Sequence, residues 1–169
     1  ITVVPGGKER SDSVSLALDA LSPKIDIVIV HDAARAFAPV EVFERVMDAV
    51  GEGHIAVVPG VPVIDTIKDV DDDGRVRRTV PRASLRVIQT PQGYARAALA
   101  SVHEASRSPD TSAAAAVQPV HAPTDDAGMC EAAGYEVWFV PGHQDAFKVT
   151  TPFDRLIAHA LVTQREALR

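Results

Sequence analysis

The sequence predicts an α/β fold with a largely parallel sheet, and three observations carry that prediction. Apolar runs at 25–30 and 54–58 have the character of strands buried on both faces. Helical spacing of apolar residues lies on either side of each run. The two patterns alternate along the chain without an internal repeat, which is the sequence sign of strand–helix–strand units.

The elements follow in order. Residues 1–4 read as a strand that runs into a Pro5-Gly6-Gly7 turn. Ser11 or Ser13 can cap a helix with Val14, Leu18 and Leu21 on one face. The strand at 25–30 stops abruptly at His31-Asp32, followed by Ala33, Ala34 and Arg35. Pro39 opens a helix with Val40, Phe43, Val46, Met47 and Val50 at helical spacing. The strand at 54–58 continues through Pro59-Gly60 to Val63.

Residues 63–82 break the alternation. Extended runs at 64–70 and 75–80 are joined by Asp71-Asp72-Asp73-Gly74, and an Asp-Gly turn between strands signals a hairpin. These runs carry few large apolar residues, so the hairpin is expected to project as an arm. A projecting arm needs something to pack against, which predicts a homodimer. A short strand at 86–89 ends in Thr90-Pro91-Gln92, and an alanine-rich pattern over 93–107 predicts a helix. Residues 108–123 show no period and are expected to form a mobile loop. Thr124 should cap a helix running through Met129 and Ala133. Strands are expected at 135–140 and 146–149. Thr151-Pro152-Phe153-Asp154 then opens a last helix carrying Ile157, Ala160, Leu161 and Leu168.

The 169 residues suit one domain, 1–169, able to bury ~70% of its unfolded surface. Hydrophobic residues make up 46% and charged residues 24%, so a soluble globular protein is expected, and no run approaches the ~20 apolar residues of a membrane helix. A net charge of −6 argues against non-specific nucleic-acid binding, so any anionic ligand must be held by local positive charge. Cys130 is the single cysteine, which rules out an intrachain disulfide and a cysteine-based zinc site. It is expected to be a buried, inert thiol, in keeping with a reducing cytoplasm. The chain opens in a strand without methionine, and an N-terminal portion is expected to be absent.

Candidate chemistry gathers at element ends. In open α/β sheets ligands bind beyond the carboxyl ends of the strands. Asp32 stands there and can hold a metal, while Arg35 can hold phosphate oxygens; equally, Asp32 can cap the turn and pair with Arg35. The Gly6-Gly7-Lys8-Glu9-Arg10-Ser11-Asp12-Ser13 stretch joins strand to helix, where backbone amides suit anions or the polar edge of a base. It is neither a Walker loop nor a dinucleotide fingerprint. Arg82 follows Pro81, where the arm returns to the body, and its guanidinium can grip phosphate in two places. Arg75, Arg77 and Arg78, like Asp71 to Asp73, read as solvated charges. Thr66, Thr90 and Thr124 can bond a polyol or phosphate, and each also has a structural role open to it. A lysine in a buried strand, as Lys148 is expected to be, needs a phosphate or a carboxylate beside it. The histidines show no metal-ligand spacing, and no serine sits in a nucleophile elbow.

Together these segments resemble the 2-C-methyl-D-erythritol 4-phosphate cytidylyltransferase family. The resemblance runs through Gly6-Gly7 to Ser13, His31-Asp32-Ala33-Ala34-Arg35 and Asp65-Thr66-Ile67-Lys68. It continues in Thr79-Val80-Pro81-Arg82, Thr90-Pro91-Gln92, Thr124-Asp125 and Phe147-Lys148-Val149-Thr150. It implies a nucleotide-diphospho-sugar-transferase-like, Rossmann-like fold, a mostly parallel sheet flanked by helices, with a β-hairpin arm at 63–82 that forms a homodimer. It also implies a cytoplasmic enzyme that transfers CMP from CTP to methylerythritol phosphate and releases pyrophosphate. By the same resemblance Asp32 sits by Mg²⁺, while Arg35, Thr66, Thr90, Thr124 and Lys148 line the acceptor site. Arg82 reaches the acceptor phosphate from the partner subunit, and Gly7, the backbone of Lys8, and Ser13 read the cytosine edge. The family opens with a glycine-rich loop carrying an arginine and a lysine, which is not in this chain, and Lys8 stands where an acidic residue can occur. A related nucleotidyltransferase acting on another sugar or polyol phosphate, or an inactive dimerising fragment, are the alternative readings.

Overall fold

The computed structural model describes residues 1–107 and 125–167. The loop expected at 108–123, Thr124 and Leu168 lie outside the described residues. The elements are α1 (Arg10–Asp19), β1 (Ile27–Val30), α2 (Val40–Gly51), β2 (Ala56–Pro62), β3 (Ile67–Val70), β4 (Val76–Val80) and β5 (Arg86–Ile88). They continue with β6 (Gln92–Ala95), α3 (Arg96–Arg107), α4 (Asp126–Ala132), β7 (Val137–Pro141) and α5 (Pro152–Ala167).

β2 is the spine of a five-stranded sheet. It pairs in parallel with β7, Ala56 opposite Val137 and Gly60 opposite Pro141. Its other edge takes β6 and then β5, both antiparallel, with Ala56 opposite Tyr94 and Gly60 opposite Ile88. β6 in turn pairs antiparallel with β1. β1, β2 and β7 therefore run in one direction, as expected of a mostly parallel sheet, and β5 and β6 run against them, β6 between β1 and β2.

Side chains alternate across this sheet and build two apolar layers. Val28, Ala56 and Tyr94 face Leu18 of α1, Leu99 and Val102 of α3, and Cys130 of α4. Val57 faces Val46, Ala49 and Val50 of α2, with Ile29 packed against them. Burying a side chain such as Leu99 stabilises the fold by ~1.5–3 kcal/mol. Cys130 is fully buried, and burial pushes its thiol up to about 12, consistent with an inert core cysteine.

Several expectations need correction. Residues 1–4 form no strand; Ile1 and Val3 stand exposed, with no strand beside them among the described residues. Residues 92–95 are strand rather than helix, because this segment fills the slot between β1 and β2. Gly93 permits it: a Cβ there would stand 2.5 Å from Val46 Cγ1. In α2 the buried face is Val42, Val46, Ala49 and Val50, whereas Val40 and Met47 are exposed. The N-cap of α1 is Glu9, whose amide donates to Asp12 Oδ2, and Ser13 instead accepts from the Gly7 amide. Asp125 caps α4 by accepting from the Gly128 amide. Residues 146–149 are not a strand; a 3-10 turn at Gln144–Ala146 leads into an extended segment whose Val149 amide donates to the Ala34 carbonyl.

β3 and β4 form a separate two-stranded sheet, as expected of an arm. Arg78 Nε donates to Asp69 Oδ2 across it at 3.0 Å, and its turn is closed by Gly74 at φ +82°. Ile64, Val70 and Val76 are exposed along this region. α5 is capped as expected: Asp154 Oδ2 accepts from the Thr150 and Thr151 amides, and the Asp154 amide donates to Thr151.

Candidate active site

Asp32 follows the carboxyl end of β1, and its backbone is held from the antiparallel line. Its amide donates to the Thr90 hydroxyl at 2.9 Å, and that hydroxyl also meets His31 Nδ1 at 3.0 Å. Thr90 is buried, so its hydroxyl is engaged with the backbone of Asp32 instead of facing open space. A turn returns the Arg35 amide to the Asp32 carbonyl. The carboxylate therefore leaves the sheet in a set direction.

Three cations surround that carboxylate. Lys148 Nζ lies 3.1 Å from Oδ2 and Arg35 Nε 3.7 Å from the same oxygen, while Arg10 Nε is 4.0 Å from Oδ1. Lys148 is the residue whose buried strand needed a counter-charge; the counter-charge is Asp32, but the lysine is half exposed and on an extended segment. Arg35 is largely buried, which pulls its guanidinium below the ordinary arginine range. Its Nη1 donates to the Ala146 carbonyl at 2.8 Å, whereas its Nε is a buried donor without a hydrogen-bond partner.

The segment carrying Lys148 is strapped to the sheet. Gln89, buried after β5, donates through Nε2 to the His143 carbonyl and accepts at Oε1 from the His143 amide. The Gly142 amide donates to the Gly60 carbonyl at 2.7 Å. Phe147 then stacks on Phe37.

Two clefts flank this cluster. One, of about 380 Å³, is lined by Arg10, Ser13, Asp32 and apolar residues of α1 and β1. The other, of about 830 Å³, is lined by Arg35, Asp65, Gln89, Phe147 and Lys148 among others. The arrangement can align two anions from opposite sides of one carboxylate. His31 is poorly placed to serve as a charged acid, because burial lowers its pKa.

Known proteins share this arrangement of elements. The family model for IspD, 2-C-methyl-D-erythritol 4-phosphate cytidylyltransferase, matches residues 1–164. The chain belongs to this family. A 2-C-methyl-D-erythritol 4-phosphate cytidylyltransferase of Frankia casuarinae is 48% identical over 164 residues, covering 97% of this chain and 57% of that protein. One of Streptomyces avermitilis is 45% identical over 169 residues, covering 96% and 62% respectively. The chain therefore spans about three-fifths of the length of these curated relatives. The crystal structure of the Thermus thermophilus enzyme of that name superposes with a TM-score of 0.78 at 36% identity, covering 95% of this chain and 72% of that one. A 4-diphosphocytidyl-2C-methyl-D-erythritol synthase from Anaerococcus prevotii superposes at 0.80 with 29% identity, covering 95% and 69%.

Of the residues that the family resemblance singles out, the structure brings Asp32, Arg35 and Lys148 together, with Thr90 beneath them. Gly7 and Ser13 meet through the Gly7 amide and the Ser13 hydroxyl at 3.0 Å, and Lys8 is exposed beside them. Thr66 is exposed at the root of the arm, and Arg82 is exposed in the turn after β4 and lines neither of these clefts. No group of three or more histidine, cysteine or acidic side chains stands ready for a metal among the described residues. A lone carboxylate still fits Mg²⁺, which commonly takes one or two carboxylates and completes its shell with substrate phosphates and water.

Four residues went unassigned from sequence: Arg10, Gln89, His103 and Asp126. Asp126 is fully buried, receiving Arg10 Nη1 at 2.6 Å on Oδ2, while His103 Nε2 lies 2.9 Å from Oδ1. Burial alone would raise its carboxyl, but the His103 hydrogen bond and the Arg10 charge outweigh burial and hold it below the usual range. Burial works to lower Arg10 in turn, and Asp126 more than offsets this. An acid at the first turn of an apolar helix was the visible signal, though it reads equally as a helix-dipole partner.

Proposed function

We propose that the protein transfers CMP from CTP to 2-C-methyl-D-erythritol 4-phosphate, giving 4-diphosphocytidyl-2-C-methyl-D-erythritol and pyrophosphate. The carrying observation is Asp32 between two clefts, with cations facing its two oxygens from opposite sides. Family membership supports the choice of substrates. Gly7, the Lys8 backbone and Ser13 take the cytosine edge in the smaller cleft. Arg35 and Lys148 take the acceptor phosphate in the larger one, and Thr66 and Thr124 its hydroxyls.

An oxygen of the acceptor phosphate attacks the α-phosphorus of CTP. The new P–O bond forms as the bond to the bridging oxygen breaks, and pyrophosphate leaves with that electron pair. The attacking oxygen is already ionised at neutral pH, so no side chain has to remove a proton. The work left is alignment and charge neutralisation. Lys148, half exposed, turns from Asp32 to the phosphates as negative charge gathers there. Asp32 would hold Mg²⁺, whose chemistry here is neutralisation of phosphate charge.

The arm supports a homodimer in which Arg82 crosses to the partner's acceptor site. Among the described residues its two strands pair only with each other, and an isolated hairpin is marginal in water. No described helix is long and apolar enough to cross a membrane. The cytoplasmic location is proposed on the family resemblance alone. Pyrophosphate release from CTP should require both methylerythritol phosphate and Mg²⁺, and light scattering should give the mass of a dimer. Release that proceeds equally well without the acceptor would overturn the assignment.

A further inference from the structure

The start of α1, the end of β1 and the start of α4 meet at Arg10, a side chain to which neither the sequence motifs nor the proposed reaction gives a role of its own. Arg10 Nη1 is bound at 2.6 Å to Asp126, and Asp126 has no solvent exposure. The second oxygen of Asp126 is engaged by His103, which is only 2% exposed. Both oxygens of the buried carboxylate are thus committed, and the Arg10 guanidinium is tied to it through Nη1 by a short charge-assisted bond. What remains of Arg10 points into the smaller cleft, its Nε 4.0 Å from Asp32 Oδ1.

Asp32 is divided unequally between its neighbours. Lys148 and Arg35 both approach Oδ2, from the side of the larger cleft. Arg10 is the cation that approaches Oδ1. Without it, the carboxylate would be drawn only toward the acceptor side. We infer that Arg10, anchored by the Asp126–His103 pair, is a positioning residue that keeps Asp32 Oδ1 turned toward the nucleotide cleft, where a metal-bound triphosphate must meet it. This inference rests on the reading that Asp32 takes the metal. A purely structural tie between α1 and α4 would involve the same Arg10–Asp126 bond, but it would have no bearing on metal-dependent nucleotide binding.

The test measures CTP affinity by titration calorimetry, in EDTA and at stepped Mg²⁺, for the protein and for Arg10→Lys. Lysine can still neutralise Asp126 but, as a single point charge, cannot span Asp126 and Asp32 together. The Mg²⁺-dependent gain in CTP affinity should fall about 10- to 100-fold, the loss usual for residues that orient a metal ligand. If Arg10→Lys melts too low to assay, Arg10→Gln combined with Asp126→Asn, which removes the buried carboxylate together with the guanidinium that pairs with it, carries the same expectation. A Mg²⁺-dependent gain equal to the parent's in either folded variant overturns the inference. Asp32→Asn separates the two ideas. Loss of the gain in Asp32→Asn but not in the Arg10 variants removes the positioning role alone. No gain in the parent, or a gain that survives Asp32→Asn, removes the metal reading and this inference with it.

Discussion

Replacing Lys148 with alanine should separate catalysis from stability. Lys148 Nζ stands 3.1 Å from Asp32 Oδ2, and its side chain is 48% exposed. Unit charges at that distance attract by ~5 kcal/mol at an effective dielectric of 20 and by ~1 kcal/mol in water. Half exposure moves the pair toward the wet limit, and ordering a long side chain takes back part of the gain, leaving ~0–1 kcal/mol. Arg35 and Arg10 stay beside Asp32 in the variant, so no carboxylate is stranded. The melting temperature should then fall by no more than about 2–4 °C. The reaction draws on the lysine differently, because charge accumulates on the phosphates only as phosphorus becomes five-coordinate. Removing a cation preorganised for that moment commonly costs ~10²–10³ in rate, or about 3–4 kcal/mol of barrier. Steady-state pyrophosphate release and a thermal melt on one preparation measure both effects. A folded Lys148→Ala protein within tenfold of parent activity would refute the reasoning, and so would a loss of activity matched by a loss of fold.

Two further outcomes follow from the surroundings of this cluster. Gly142→Ala would place a Cβ 2.2 Å from Gln89 Oε1 and 3.0 Å from the Gly60 backbone; it should cost ~1–3 kcal/mol in chemical denaturation and lower activity by shifting the segment that ends in Lys148. Asp126, held below its ordinary range, contributes stability that is complete above the unfolded carboxylate pKa of ~3.9 and is lost as pH falls through its lower folded value. The unfolding free energies of the protein and of Asp126→Asn should therefore converge below about pH 4, and a gap that stays constant from pH 7 to pH 3 would contradict the depressed value.

Where the sequence was legible, one physical signal dominated. The strand before Asp32 and the helix from Pro39 carry the apolar content of elements pressed against a core, and both form. The errors have local causes. Residues 92–95 merge into an alanine-rich run, and only the fully buried Tyr94 and the tight contact at Gly93 mark them as strand. Residues 1–4 have the composition of a strand, yet a strand exists only where a neighbour offers its hydrogen bonds. For residues 146–149 the same composition gives a strap, because Arg35 Nη1 donates to the Ala146 carbonyl and the Ala34 carbonyl takes the Val149 amide, instead of another strand. Ser13 illustrates competition between local partners: a capping hydroxyl was expected, but the Gly7 amide claims it.

The candidate site was legible one residue at a time, but not as a set of contacts. Asp32 and Arg35 are three apart, and a strand end explains their meeting. Lys148 and Arg10 reach the same carboxylate from opposite ends of the chain, and nothing local in either segment points to the other. What brings Lys148 to Asp32 is the antiparallel β5–β6 line. Through Thr90 it holds the Asp32 backbone, and through Gln89 it holds the segment leading to Lys148. Arg10 depends on a different anchor, the buried Asp126 at the start of α4. Two independent supports thus converge on one carboxylate, one for each of its oxygens. Loosening the Gln89 strap should disturb the acceptor side and leave nucleotide binding intact, whereas loosening the Asp126 anchor should do the reverse. A site whose two halves fail separately is what a reaction between two anions, each bound in its own cleft, requires of the fold.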